Sequence, residues 1–80
     1  MADKLIEPSE LTQLAKKYRV AAGKTLSDTA RELGVAQPTI FFAENDPKRG
    51  LHKLRKQIIE RYSEYEVIGP VYILRRRRSG

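Results

Sequence analysis

The residues of this chain best equipped for recognition chemistry lie in one short run, Gln37-Pro38-Thr39-Ile40-Phe41-Phe42. A glutamine amide presents a donor and an acceptor side by side and can pair bidentately with adenine in the major groove, while a threonine can bond a phosphate or pack on a thymine methyl. Phe41 and Phe42 add apolar surface to the same run, and three explanations stand open. They could touch thymine methyl groups, join Leu26 and Pro38 in an apolar patch that a protein partner covers, or belong to a helix turned so that one of them enters the core. Bond-making chemistry has no comparable support. The chain has no cysteine, its one histidine is the isolated His52, and it contains neither a paired nucleophile and base nor a glycine-rich phosphate loop. No enzyme activity, cofactor or metal site is therefore expected, and His52 is expected to be a solvated helix residue.

The recognition run needs a frame, and residues 25 to 44 provide its pattern. Thr25 followed by Asp28 makes an N-terminal capping pair for a helix at about 26–33. Gly34 then fits a tight corner with positive φ. Ala36 starts the next helix, with Gln37 and Pro38 in its first turn, where the missing proline N–H does no harm. Ala30 is small enough for the second helix to cross closely, and Leu33, Val35, Ile40 and Ala43 supply the apolar positions that fix it to the core. Gln37, Pro38, Thr39, Phe41 and Phe42 face outward and are the candidate base contacts. This is helix-turn-helix spacing, which suits a helix lying in the major groove. A plain antiparallel helix pair in a small bundle is the alternative.

The rest of the chain reads as mainly α, a compact four-helix bundle with the helix-turn-helix at about 26–44 and a β strand or short hairpin at about 65–75. Leu11, Leu14, Ala15, Tyr18, Ala21 and Ala22 repeat at helical spacing over about 9–22, and Gly23 ends that helix. After the turn at Asn45-Asp46-Pro47, Leu51, Leu54, Ile58 and Tyr62 form an apolar stripe over about 50–63. The period changes at 65–74, rich in β-branched and aromatic residues around a Gly-Pro turn signal. Residues 1–74 make a single domain and 75–80 a flexible basic tail.

The net charge of +6 points to nucleic acid, but Arg75, Arg76, Arg77 and Arg78 supply four of the six. Those arginines, with Thr25 and the cluster Lys48, Arg49 and Lys53, are the candidate phosphate contacts, and Arg55 and Lys56 extend the cluster. A solvated, disordered end is the other reading of the tail. A core this small often relies on a second subunit. An edge strand invites pairing with its own copy, so a homodimer through Val67, Ile68, Val71, Tyr72, Ile73 and Leu74 is expected, with an intrachain hairpin folded on the first helix as the alternative. Neither a membrane-spanning run nor a secretory signal is present, and a cytoplasmic protein is expected.

The string T-A-R-E-L-G-V-A-Q-P-T-I-F-F-A at 29 to 43 resembles the Cro and lambda-repressor class of phage and bacterial DNA-binding domains, and within it the Cro branch. The resemblance covers roughly residues 9 to 63. It implies a transcriptional repressor that binds a palindromic operator in double-stranded DNA as a homodimer, with helix 36–44 in the major groove. It also implies a largely buried ion pair between Arg19 and Glu44. The β segment is similar to Cro proteins, whose C-terminal strands pair the subunits, although those lack a counterpart of helix 50–63. Leu26 stands where many relatives have a contact-supporting glutamine. Because a fold does not fix a function, a protein-interaction adaptor on the same scaffold is the other function considered.

Overall fold

The computed structural model describes residues 4–69 and 72–77. Val71 and Arg78, both expected to make contacts, lie outside them. Four helices, α1 Pro8–Ala21, α2 Leu26–Leu33, α3 Gln37–Asn45 and α4 His52–Tyr62, are followed by an antiparallel hairpin of two strands. A two-residue strand, β1 Lys4–Leu5, precedes the helices, and the hairpin consists of β2 Tyr65–Ile68 and β3 Ile73–Arg76.

Local signals set the helix ends. Glu7 caps α1, with Pro8 as its first residue, and the Glu7 N–H donates to Glu10 Oε1 at 3.2 Å. Thr25 Oγ1 accepts from the Asp28 N–H at 3.0 Å, and the Thr25 N–H donates to Asp28 Oδ2 at 3.0 Å. Gly34 closes α2 at φ 70°, ψ 33°. A methyl group there would meet nothing within 4 Å, so the left-handed backbone alone calls for glycine.

α1 packs along α4 and against α3, and β2 rests on α4. Leu11, Ala15, Ile40, Ala43, Ile58 and Ile59 are the fully enclosed apolar side chains of the core. Leu11 and Ala15 are four residues apart on α1 and Ile40 and Ala43 three apart on α3, which gives each of these helices one buried stripe. Ala21 and Ala22, expected to face inward, are exposed, as the last residue of α1 and its C-cap. Ile59, outside the expected stripe of α4, is fully buried.

β3 is the central strand, pairing antiparallel with β1 on one side and β2 on the other. The described residues of 66–74 therefore pair within the chain; β2 packs on α4, and Tyr65 at the start of β2 meets Tyr18 of α1 at 6.0 Å between ring centroids. Val67 and Leu74, named as dimer contacts, are instead core residues at 2% and 8% exposure. The outer edge of β2 is also occupied. The Val67 N–H donates to Glu60 Oε2 at 2.9 Å and the Tyr65 N–H to Ser63 Oγ at 3.1 Å, so side chains take the groups that a second strand would need.

β3 runs past the expected boundary at residue 75. Arg75 pairs with Glu66 across the hairpin and Arg76 with Glu64 at 2.7 Å. Arg77 donates from its backbone N–H to Glu64 O at 2.8 Å and from its guanidinium to the carbonyls of Glu60 and Ser63. The described part of the basic tail is thus structured and largely matched by local acceptors.

Glu32 on α2 ties the helices together, accepting from Lys24 Nζ at 2.8 Å, Arg61 Nε at 2.9 Å and Tyr62 Oη at 2.6 Å. These bonds hold its pKa down at about 2, against an ordinary 4.5, Lys24 contributing most. A carboxylate with a depressed folded-state pKa stabilises the fold fully above its ordinary value and loses that contribution as pH falls through the folded value. Between about pH 4.5 and 2 the Glu32→Gln variant should therefore lose less stability than the parent. Thermal melts across that window would read the difference, and parallel curves would show that Glu32 carries no such linkage.

Candidate nucleic-acid interface

α3 buries one face and leaves the other free. Ile40, Ala43 and Glu44 are enclosed, while Gln37, Pro38 and Phe41 are exposed and Thr39 and Phe42 are half-buried. Gln37 and Phe41 are one helical turn apart, so they stand above one another on the same ridge. Phe41 is 48% exposed.

The two phenylalanines have different surroundings. Their rings meet edge to face at 5.7 Å between centroids, and the Arg49 guanidinium carbon lies 3.9 Å from the centre of the Phe42 ring. That distance is within cation–π range. Arg49 also reaches Asp46 Oδ2 at 3.5 Å. Phe42 is thus a covered support and Phe41 the bare ring. Neither belongs to the core cluster, whereas Leu26, grouped with them in the expected apolar patch, packs against the core.

Beyond α3 the chain turns through Asp46, whose Oδ1 accepts from the Lys48 N–H at 3.1 Å, and Lys48 and Lys53 project into solvent. Arg55, grouped with these cations by sequence, is instead completely buried. Its Nε donates to Ala43 O at 2.8 Å and its Nη2 to Asp46 O at 2.6 Å. Those carbonyls end α3, so Arg55 caps that helix and meets its negative dipole end. Burial lowers its pKa, and the Asp46 carboxylate opposes the shift. His52 is half-buried rather than solvated, with its ring 5.4 Å from that of Tyr72 and Nδ1 3.4 Å from Arg55 Nη1.

Thr25, expected to touch a phosphate, is engaged in the capping pair with Asp28. The Asp28 pKa is lowered, first by the Thr25 backbone N–H and then by its hydroxyl. A charged carboxylate therefore occupies the first turn of α2, where it would repel a phosphate.

Arg19 and Glu44 form a two-pronged pair, Nε to Oε2 at 2.6 Å and Nη2 to Oε1 at 2.9 Å, at 8% and 4% exposure. Arg19 Nη1 also donates to Lys24 O at 2.7 Å. The pair fastens the end of α1 to the end of α3 and so fixes the direction of α3.

Among the described residues, no three His, Cys, Asp or Glu side chains are grouped to hold a metal, and no helix is long and apolar enough to cross a membrane. Comparison of the chain with protein-family models, curated proteins and solved structures finds no match in any of the three.

Proposed function

We propose that the chain is a sequence-specific binder of double-stranded DNA, with α2 and α3 acting as a helix-turn-helix unit and α3 lying in the major groove. The observation that carries this reading is the exposed Gln37–Phe41 ridge on a helix whose opposite face is buried. Lys48 and Lys53 place positive charge after the end of that helix. A protein with these properties represses transcription by occupying its site, and a bacterial cytoplasm or nucleoid is the compartment that fits it.

Two copies on a palindromic operator would place their recognition helices about one DNA turn apart. The outer edge of β2 does not favour strand pairing, but one sheet face remains. Leu5, Ile73 and Ile68 lie side by side across the three strands, on the side opposite the buried Val67 and Leu74. Leu5 is 66% exposed. We assign self-association to this face.

Selection from random duplexes, followed by binding measurements on the selected site, tests the proposal. Gln37→Ala should cost about 1 to 3 kcal/mol and relax preference at one base pair, with the salt dependence unchanged. Lys48→Ala and Lys53→Ala should weaken binding to all sequences and each reduce the salt slope by about one. Sedimentation at micromolar concentration reads the dimer, and a monomer that binds a palindrome at full affinity would remove it.

A protein-interaction module is the second reading, favoured by the bare Phe41 ring and by the pairing of Arg75 and Arg76 with glutamates. Selection that enriches no duplex, together with a partner lost on Phe41→Ala, would establish it in place of DNA binding.

A further inference from the structure

Within the DNA-binding reading, on which this inference rests, we propose that Phe41 determines specificity by recognising the 5-methyl group of a pyrimidine in the major groove. The step follows from what each residue of the α3 ridge can offer. Gln37 can pair bidentately with adenine through its amide. The next residue on the same ridge, Phe41, has no hydrogen-bonding group, and the major-groove feature that an apolar ring can distinguish is the methyl of thymine. Phe41 is also held ready for such a contact. Phe42 meets it edge to face at 5.7 Å, Phe42 is itself covered by Arg49 at 3.9 Å, and Asn45 Nδ2 donates to Phe41 O at 2.8 Å.

The surrounding charge selects the same occupant. Arg49 lies over the Phe42 ring that supports Phe41, Lys48 and Lys53 are exposed cations that follow α3 in the chain, and positive charge with a bare ring suits a polyanion that carries an apolar group. The ligand chemistry is accordingly a 5-methylpyrimidine in a duplex, either thymine or 5-methylcytosine. Thymine is the expected base next to the one that Gln37 reads.

The test changes the DNA first and then the protein. Each thymine of a selected duplex is replaced in turn by deoxyuridine, which removes one methyl and leaves every hydrogen-bonding group in place. At one position per half-site the affinity should fall about fourfold, the value of one buried methyl at about 0.8 kcal/mol. Phe41→Ala should bind the unmodified duplex more weakly and be indifferent to deoxyuridine at that position. Cytosine at the same position should restore part of the parent's affinity when methylated at C5 and none when unmethylated.

If the selected duplex binds and no deoxyuridine substitution alters affinity, the methyl contact is wrong and the DNA reading stands. A Phe41→Ala variant that keeps the parent's full response to deoxyuridine would likewise overturn it, assigning the methyl to another residue. If no duplex is selected at all, the DNA reading fails and this inference fails with it.

Discussion

Replacing Arg19 by methionine is expected to destabilise the fold by about 3 to 5 kcal/mol, because it leaves the buried Glu44 carboxylate without its partner. Glu44 is 4% exposed and both of its oxygens are bonded to Arg19, so loss of the guanidinium leaves a mostly buried carboxylate with neither of its present donors. For a chain of 80 residues the whole folding free energy is roughly 4 to 12 kcal/mol. A quarter or more of it would therefore go with one side chain. Urea unfolding followed by circular dichroism measures this, and a loss below about 1 kcal/mol would place the pair with ordinary surface bridges. The companion variant Arg19→Met with Glu44→Leu removes both charges and should recover much of the loss, since an apolar pair of similar volume avoids burying an ion. Recovery should be incomplete, because Lys24 O would still lack the Nη1 donor that now serves the end of α1.

The parts of this fold that could be read from the sequence are those encoded within a few residues. α2 begins and ends where Thr25, Asp28 and Gly34 place it, because a capping pair and a left-handed glycine are local devices. The exposed positions of α3 follow similarly from Ile40 and Ala43. The Arg19–Glu44 pair is 25 residues apart in the chain, and no local pattern indicates it. Its expectation came from the resemblance. β1 has only two residues, too few for a period to show, and its partner strand is at the other end of the chain.

Charge runs were the least legible feature. Arg75, Arg76 and Arg77 look like a solvated tail, yet the hairpin brings them to Glu66, Glu64 and the carbonyls of Glu60 and Ser63. The acidic residues at 64 and 66 are the signal that could have shown it, because antiparallel pairing of β2 with β3 sets Glu66 opposite Arg75 and brings Glu64 to Arg76. What then remains of the basic character near α3 is a short group of lysines and Arg49, which makes the ridge itself, rather than net charge, the basis for a DNA partner.

Arg55 was hidden by the same kind of run, since Lys53 and Lys56 on either side read as a solvent face, and its position makes a second large effect. Arg55→Met should destabilise by about 2 to 4 kcal/mol, because two charge-assisted bonds are lost and the Ala43 carbonyl is stripped of its buried donor, while the Asp46 carbonyl keeps only the Arg49 N–H at 3.2 Å. Relief from burying a cation offsets part of that cost, which keeps the expected figure below the sum of the two bonds. Arg55→Lys is the sharper variant. A lysine keeps the charge but cannot fork to two carbonyls in fixed directions, so it should lose nearly as much as methionine does. Hydrogen exchange should show the cause, with protection falling first at the end of α3 and in the Asp46 turn while α1 and the rest of α4 stay protected. If Arg55→Lys is as stable as the parent, charge alone suffices at that site, and the guanidinium does not cap α3. If it is unstable but DNA affinity per folded molecule is unchanged, the cap holds the fold together without setting the ridge. Loss of both, at a temperature where the variant remains folded, would place Arg55 among the residues that orient Gln37 and Phe41 from beneath.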